Sequence, residues 1–253
     1  MKKTSNNFTE KRFEMKYHDA FTEAHGCYER YPDAEYVRVL SESGILNEKP
    51  SLVLDVGCGS GAFGFRLAKL GFSVVGIDIS PLSIKAATRL ARKQGLNADF
   101  VVGDIEMMPF RNESFPLIFC GCVLHHLPDK ISCIMSGINC ILKYDGRLFL
   151  CEPNALNPGC FVNYHFGKNR TVNERALNPK NILDILSSES FSHIVLADIG
   201  DIQTFSLDEV GILRGSIRRV LSLLLNMINK LPFVPGPYFV ISATKRTCHG
   251  TAS

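Results

Sequence analysis

The apolar run Leu52-Val53-Leu54 breaks into a glycine-rich turn, Gly57-Cys58-Gly59-Ser60-Gly61-Ala62. Asp55 stands two positions before the first glycine, and Asp78 follows well after the last. The run reads as a strand buried on both faces. Glycines at its carboxyl end let the backbone turn tightly and approach a ligand closely. Residues 62–71 read as a helix closed by Gly71, and residues 72–78 as a second strand. Strand, tight turn, helix and strand in such short order make a βαβ unit, because parallel neighbours need a crossover.

The alternation continues down the chain. Ser80 is placed as an N-cap, Pro81 in the first turn and Gly95 at the end of a helix. Strands are expected over 98–104 and 115–121, a helix over 129–146 and a fifth strand over 147–153. Beyond Pro153 the pattern changes to a stretch rich in Asn and Arg with no clean period, the composition of a functional lid. Residues 181–190 then read as helix, 192–200 as strand, 207–231 as mostly helix and 237–246 as a final strand. Seven strands alternating with helices predict an α/β doubly wound sheet. The expected organisation is one domain over 1–253. Within it lie a helical N-terminal cap (1–49), a core (50–153), an inserted lid (154–180), the C-terminal part of the sheet (181–245) and a tail (246–253).

Composition excludes several classes. A net charge of +3 is too small to argue for nucleic acid or an anionic membrane. No apolar stretch reaches membrane-spanning length, and the N-terminus lacks the apolar core of a signal peptide. Among nine cysteines, Cys120, Cys122, Cys133, Cys140 and Cys151 lie in apolar runs and read as buried, reduced thiols of a cytoplasmic protein. Cys120-Gly-Cys122 has no second pair at zinc spacing, so no metal is expected.

The glycine turn and Asp78 suit any adenosine-containing cofactor, with Asp78 accepting from ribose hydroxyls. Asp55 separates the options. A carboxylate beside the loop opposes a pyrophosphate but suits a cationic cofactor. S-adenosylmethionine has no phosphate and carries an ammonium and a sulfonium. Over residues 50–155 the chain resembles the class I S-adenosylmethionine-dependent methyltransferases, nearest their small-molecule, type 11-like branch. The likeness rests on VLDVGCGSG (53–61), GIDIS (76–80), VVGDIEMMPF (101–110), FPLIFCGCVLHHLPD (115–129) and ILKYDGRLFLCEP (141–153), in order. It implies a Rossmann-like, mostly parallel seven-stranded sheet, with the last strand antiparallel and helices on both faces. It also implies cofactor contacts from Asp55, Gly57, Gly59, Gly61, Asp78, Ile79, Asp104, Ile105 and Cys120, with Asp104 and Ile105 meeting adenine. Pro116 departs from the family's usual aspartate, and Tyr144-Asp145 from its Pro-Gly turn.

Methyl transfer needs alignment and sometimes removal of a proton from the acceptor. His125 and His126 follow the fourth strand, where the methyl group should point, and His126 is favoured to face the substrate. Glu152, at the end of the fifth strand, is the third candidate at the cleft rim. Tyr164, His165, Arg170 and Arg175 in the lid could meet the acceptor, while Tyr17 and His18 would cover the cofactor. The expected acceptor is a sugar, a quinone-like ring or a lipid head group. Residues 120–123 lack the motifs of nucleic-acid methyltransferases, so no nucleic-acid partner is expected. Residues 212–231 mix arginines with leucines and read as a helix covering the sheet or, alternatively, as one resting on a membrane surface. Two other readings stay open on sequence grounds: a protein that binds the cofactor without catalysis, and a nicotinamide oxidoreductase.

Overall fold

The structure, a computed structural model, describes residues 2–25, 33–166, 173–199, 224, 227 and 234–247. Its strands are β1 (Leu52–Val56), β2 (Ser73–Asp78), β3 (Ala98–Val102), β4 (Phe115–Gly121), β5 (Leu142–Pro153), β6 (Phe191–Ile199) and β7 (Tyr238–Lys245). They form one sheet in the order β3-β2-β1-β4-β5-β7-β6. β1 pairs parallel with β2 and β4, β2 with β3, and β4 with β5. β7 runs antiparallel between β5 and β6. The sheet order reverses at β1, between β2 and β4, which is where an open α/β sheet leaves a crevice at its strand ends.

The central strands β1 and β4 read as near-continuous apolar runs because both faces are covered, while the edge strands β3 and β6 are largely exposed. Helices are α1 (Lys2–His25), α2 (Asp33–Ser43), α3 (Ala62–Lys69), α4 (Pro81–Gln94), α5 (Ile131–Ile141), α6 (Pro158–Phe166) and α7 (Pro179–Ser188). Leu54, Ile118, Leu148 and Leu150 pack with α5 and α7 on one face. Val53, Leu117, Phe119 and Phe149 pack with α2 and α3 on the other. Alternate residues of each strand thus enter opposite cores. α4 has the expected ends: Ser80 Oγ accepts the Ser83 amide at 3.0 Å, Pro81 opens the first turn and Gly95 closes it at φ 62°.

Three local expectations are corrected. The helix expected over 129–146 ends at Ile141, and β5 begins at Leu142. Between them the β4–β5 register jumps, so that Phe115 pairs with Leu142 and Leu117 with Arg147. The extra residues loop out around Asp145, at φ 58°, and Pro116, which has no amide to donate, sits in the gap. Cys133 and Cys140 are exposed rather than buried, because α5 turns Ile131, Ile134, Met135 and Ile138 inward and these two outward. The lid stretch is not structureless. It contains α6 and returns to the carboxyl end of β5, where Leu177 donates its amide to Pro153 O at 2.9 Å. Arg170, nearly all of the helix expected over 207–231 (the membrane-surface alternative over 212–231 included) and most of the expected tail lie outside the described residues. Among the described residues no helix is long and apolar enough to cross a membrane.

Candidate functional site

A cavity of about 220 Å3 opens at the carboxyl ends of the strands. Its floor is the turn after β1. A Cβ on Gly57 would strike the Val123 side chain at 2.3 Å, so the close approach of the two turns requires glycine there. Gly59, at φ 52°, would meet nothing within 4 Å and opens its face to the cavity. Asp78 fixes this turn: its Oδ2 accepts the Gly59 amide at 2.8 Å and its Oδ1 the Ser80 amide at 2.9 Å. Ile79 and Ile105 supply apolar wall. Asp104 Oδ1 accepts the Glu106 amide at 2.9 Å, while its Oδ2 pairs with Lys11.

α1 roofs the cavity. Lys11, Glu14, His18 and Thr22 recur at helical spacing and form one polar stripe facing inward. The helix is held down by Thr22 to the Ser83 hydroxyl at 2.7 Å, by Asp19 to Ser80, and by Lys11 to Asp104 and Glu106. Burial works against the Lys11 ammonium, but hydrogen bonds to Asp104 and Glu106 override it and raise its pKa. Burial lowers His18, against the pull of Asp78 and Glu174.

Of the residues the sequence put forward, His18, Gly57, Gly59, Asp78, Ile79, Asp104, Ile105 and His126 line this cavity. Others do not. Gly61 shapes the start of α3, where a Cβ would meet Phe65 at 2.7 Å. Cys120 points into the core shared with α5, since strand residues alternate and its neighbour Gly121 takes the cavity side. Asp55 lies behind the glycine turn, 2% exposed, with Oδ2 lacking a hydrogen-bond partner. Burial pushes its carboxyl up to about 7, the Gly64 amide offsetting and Asp78 adding to the shift.

The Asp55 shift makes a stability prediction. Its folded pKa exceeds the unfolded value, so the folded state holds the extra proton between about pH 4 and 7, and stability falls as pH rises through that window. Asp55→Asn is expected to stabilise the fold by about 2–4 kcal/mol at about pH 8 and by little near pH 4, read from urea denaturation. An equal change at both pH values would refute the assignment.

Glu152 is not at the rim. It is fully buried, and its Oε1 accepts the amides of Val123 at 3.0 Å and Leu124 at 2.8 Å. Its Oε2 accepts from His125 Nδ1 at 2.8 Å. His125, 5% exposed, is therefore a buried partner of Glu152, and only His126 of the pair reaches the cavity. Burial alone would lower His125, but the hydrogen bond and charge of Glu152, with Glu174 adding, raise it.

The lid residues separate. Tyr164 stacks edge-on to His125 at 5.8 Å, and the Arg175 amide donates to His125 O at 3.0 Å while its guanidinium pairs with Asp129 at the surface. His165 falls in α6. Tyr17 packs edge-on against His18 at 5.4 Å and does not line the cavity.

A second chamber of about 150 Å3 adjoins the first. Lys11, Glu14, Glu106, His126 and Leu127 border both, and Asp129, Lys130 and Asn173 close the far side. Sequence reasoning missed Lys11, Glu14, Thr22, Glu106 and Glu174. For the first three, the polar 11/14/18/22 spacing was a readable signal; Glu174 carried none.

Residues 47–202, more than half of the chain, match the family described as a methyltransferase domain. The chain is 34% identical over 127 residues to a ubiquinone biosynthesis O-methyltransferase of Xanthomonas axonopodis pv. citri, covering 50% of this chain and 52% of that protein. It therefore spans about half the length of the curated relative it matches. Its fold is similar to a SAM-dependent methyltransferase from Archaeoglobus fulgidus, with a TM-score of 0.62, 18% identity and coverage of 89% and 98% of the two chains. It is also similar to the [4+2]-cyclase SpnF, with a TM-score of 0.61, 19% identity and coverage of 85% and 81%. At such identities these structures establish the fold alone.

Proposed function

The chain belongs to the methyltransferase-domain family, and on that premise we propose that it transfers a methyl group from S-adenosylmethionine to a hydroxyl of a small, quinone-like ring. The observation that carries the reading is one cavity into which β2 and β3 deliver Asp78 and Asp104 beside the open face of Gly59. Each carboxylate keeps lone pairs beyond the backbone amides it accepts. Asp78 suits ribose hydroxyls, Asp104 suits the adenine amine that would share it with Lys11, and Ile79 and Ile105 suit the ring faces. The cavity also carries Glu14 and Glu106, an acidic lining that opposes a pyrophosphate and favours a cationic cofactor. The ring hydroxyl as acceptor rests on the named activity of the curated relative.

When bound, S-adenosylmethionine would supply a methyl carbon activated by its sulfonium. The chain's task is to align and to manage a proton. The glycine turn and Gly121 bring backbone close enough to fix the donor's position. The second chamber is assigned to the acceptor, because it opens onto the first across His126. His126 is assigned to take the acceptor's proton. Glu152 holds the 123–126 turn that carries it, as a positioning residue that never touches substrate.

Calorimetry with S-adenosylhomocysteine and NADH tests the reading, followed by turnover with ring hydroxyl acceptors. Micromolar binding of S-adenosylhomocysteine, no NADH signal and methyl transfer to a ring oxygen are expected. NADH binding, or no adenosine ligand at all, would overturn the cofactor assignment. Cofactor binding with transfer only to nitrogen or carbon acceptors would overturn the acceptor.

A further inference from the structure

Between the two chambers, four side chains from three separate segments converge. α1 presents Glu14 and His18 one turn apart, the turn after β4 presents His126, and the end of the lid returns Glu174. Glu14 Oε2 lies 3.7 Å from both His18 Nε2 and His126 Nδ1. Glu174 Oε2 lies 3.8 Å from His126 Nδ1, and its Oε1 3.6 Å from His125 Nε2. The His18 and His126 rings meet edge to face at 5.0 Å, and one nitrogen of each lies 3.7 Å from the same Glu14 oxygen.

These separations are informative. A hydrogen-bonded imidazole and carboxylate close to about 2.7–3.0 Å, as His125 and Glu152 do at 2.8 Å. Donor atoms around a tetrahedral ion with bonds of about 2.0–2.1 Å stand about 3.3–3.4 Å apart. The contacts among Glu14, His18, His126 and Glu174, at 3.7–3.8 Å, sit nearer the second arrangement than the first. The ligand atoms of Glu14, His18 and His126 all fall within 4.8 Å of one another. A small shift of α1 or of the 173–177 segment would bring them onto one ion.

We propose that Glu14, His18 and His126, with Glu174 as a fourth ligand, bind a divalent transition-metal ion of the zinc class at the junction of the two chambers. Imidazole with carboxylate suits Zn2+, Co2+, Mn2+ and Fe2+ over Ca2+, which takes oxygen alone. The ligand set contains no thiol: the exposed Cys133 and Cys140 lie on the outer face of α5, and Cys122, on the wall of the same cavity, is not grouped with Glu14, His18 and His126. Its ligands are spread from residue 14 to residue 174, and the single Glu14–His18 pair one turn apart is too common a pattern to announce a site. The site itself does not depend on methyl transfer. If the methyltransferase reading holds, the ion would sit where an acceptor oxygen arrives and would favour loss of its proton, and in the metal-bound chain this would replace the proton-accepting role assigned to His126 above.

The test is Co2+ titration of the full chain, with visible spectroscopy and equilibrium dialysis. Expected are one Co2+ per chain and the visible bands of a four- or five-coordinate nitrogen–oxygen site. His18→Ala and His126→Ala should each weaken binding by at least about 10–100-fold, the range that loss of even a supporting hydrogen bond reaches. Far-UV circular dichroism checks that the variants fold, and Glu14→Gln, a near-isosteric change, gives a second weakening if either alanine variant does not. Absence of saturable Co2+ binding in the wild-type protein would overturn the site. So would binding unchanged in folded His18→Ala and Glu14→Gln, or thiolate charge-transfer bands, which would place the ion on cysteine. S-adenosylhomocysteine is titrated separately. Its binding without Co2+ sinks the metal site and spares the methyltransferase reading, and Co2+ binding without it does the reverse.

Discussion

Asp78→Ala is expected to weaken S-adenosylhomocysteine binding by about 100-fold while leaving the sheet intact. Asp78 ends β2 in register with Val102 of β3, and its two oxygens are already aimed by the Gly59 and Ser80 amides. On the proposed reading, a carboxylate held this way would meet ribose hydroxyls with little reorganisation. Hydrogen bonds to a charged group contribute about 1.5–3 kcal/mol each, so losing the pair reaches two orders of magnitude even after partial compensation by water. Asp78→Asn keeps one acceptor and the shape of the turn, and about a tenfold loss is expected. Calorimetry of both variants beside the wild-type protein decides the matter. A change below about threefold in the alanine variant would remove Asp78 from the cofactor site and leave it as a turn-building residue only.

The second large effect is on stability. Glu152→Ala is expected to destabilise the protein by about 3–5 kcal/mol, the usual cost of stripping one partner from a buried charged pair. Glu152 is fully buried and accepts two backbone amides and the His125 imidazole. Its removal leaves three donors in a site with no exposure to water. For a chain of this size the loss corresponds to roughly 6–20 °C in melting temperature. Glu152→Gln retains an acceptor for the amides and should cost about half as much. A melting temperature unchanged by the alanine substitution would show that water replaces the carboxylate.

The same pair ties stability to pH. His125 is raised in the folded state, so its contribution is fully present below the unfolded value of about 6.5 and is lost as pH rises through the folded pKa. In Glu152→Gln the shift loses its main source, and this decline should flatten.

The elements that carry the cavity were legible because they are local. Apolar runs set β1 through β4, and glycine, serine and proline punctuation set the turns and the ends of α4. One strand of few residues delivers Asp78, and the next Asp104, to the same end of a parallel sheet, so their convergence follows from chain direction alone. The break after α5 was less legible. Leu142–Gly146 continues a helical apolar pattern, and only pairing with β4 across Pro116 pulls it into β5.

What the sequence determined by itself was the sheet, its crevice and the carboxylates at the strand ends, because each rests on interactions within a few residues. The tertiary structure decided which candidates meet the cavity. Adjacent His125 and His126 are equivalent in sequence, yet one is captured by Glu152 from β5 and the other is left on the cavity wall. Asp55 and Cys120 sit among cavity residues along the chain but face backwards, one behind the glycine turn and the other into the core. Glu14, His18 and Glu174 reach His126 only because α1 folds over the cavity and the lid returns to the carboxyl end of β5. Those contacts join residues far apart in the chain, and no local pattern encodes a contact whose partner is chosen by packing.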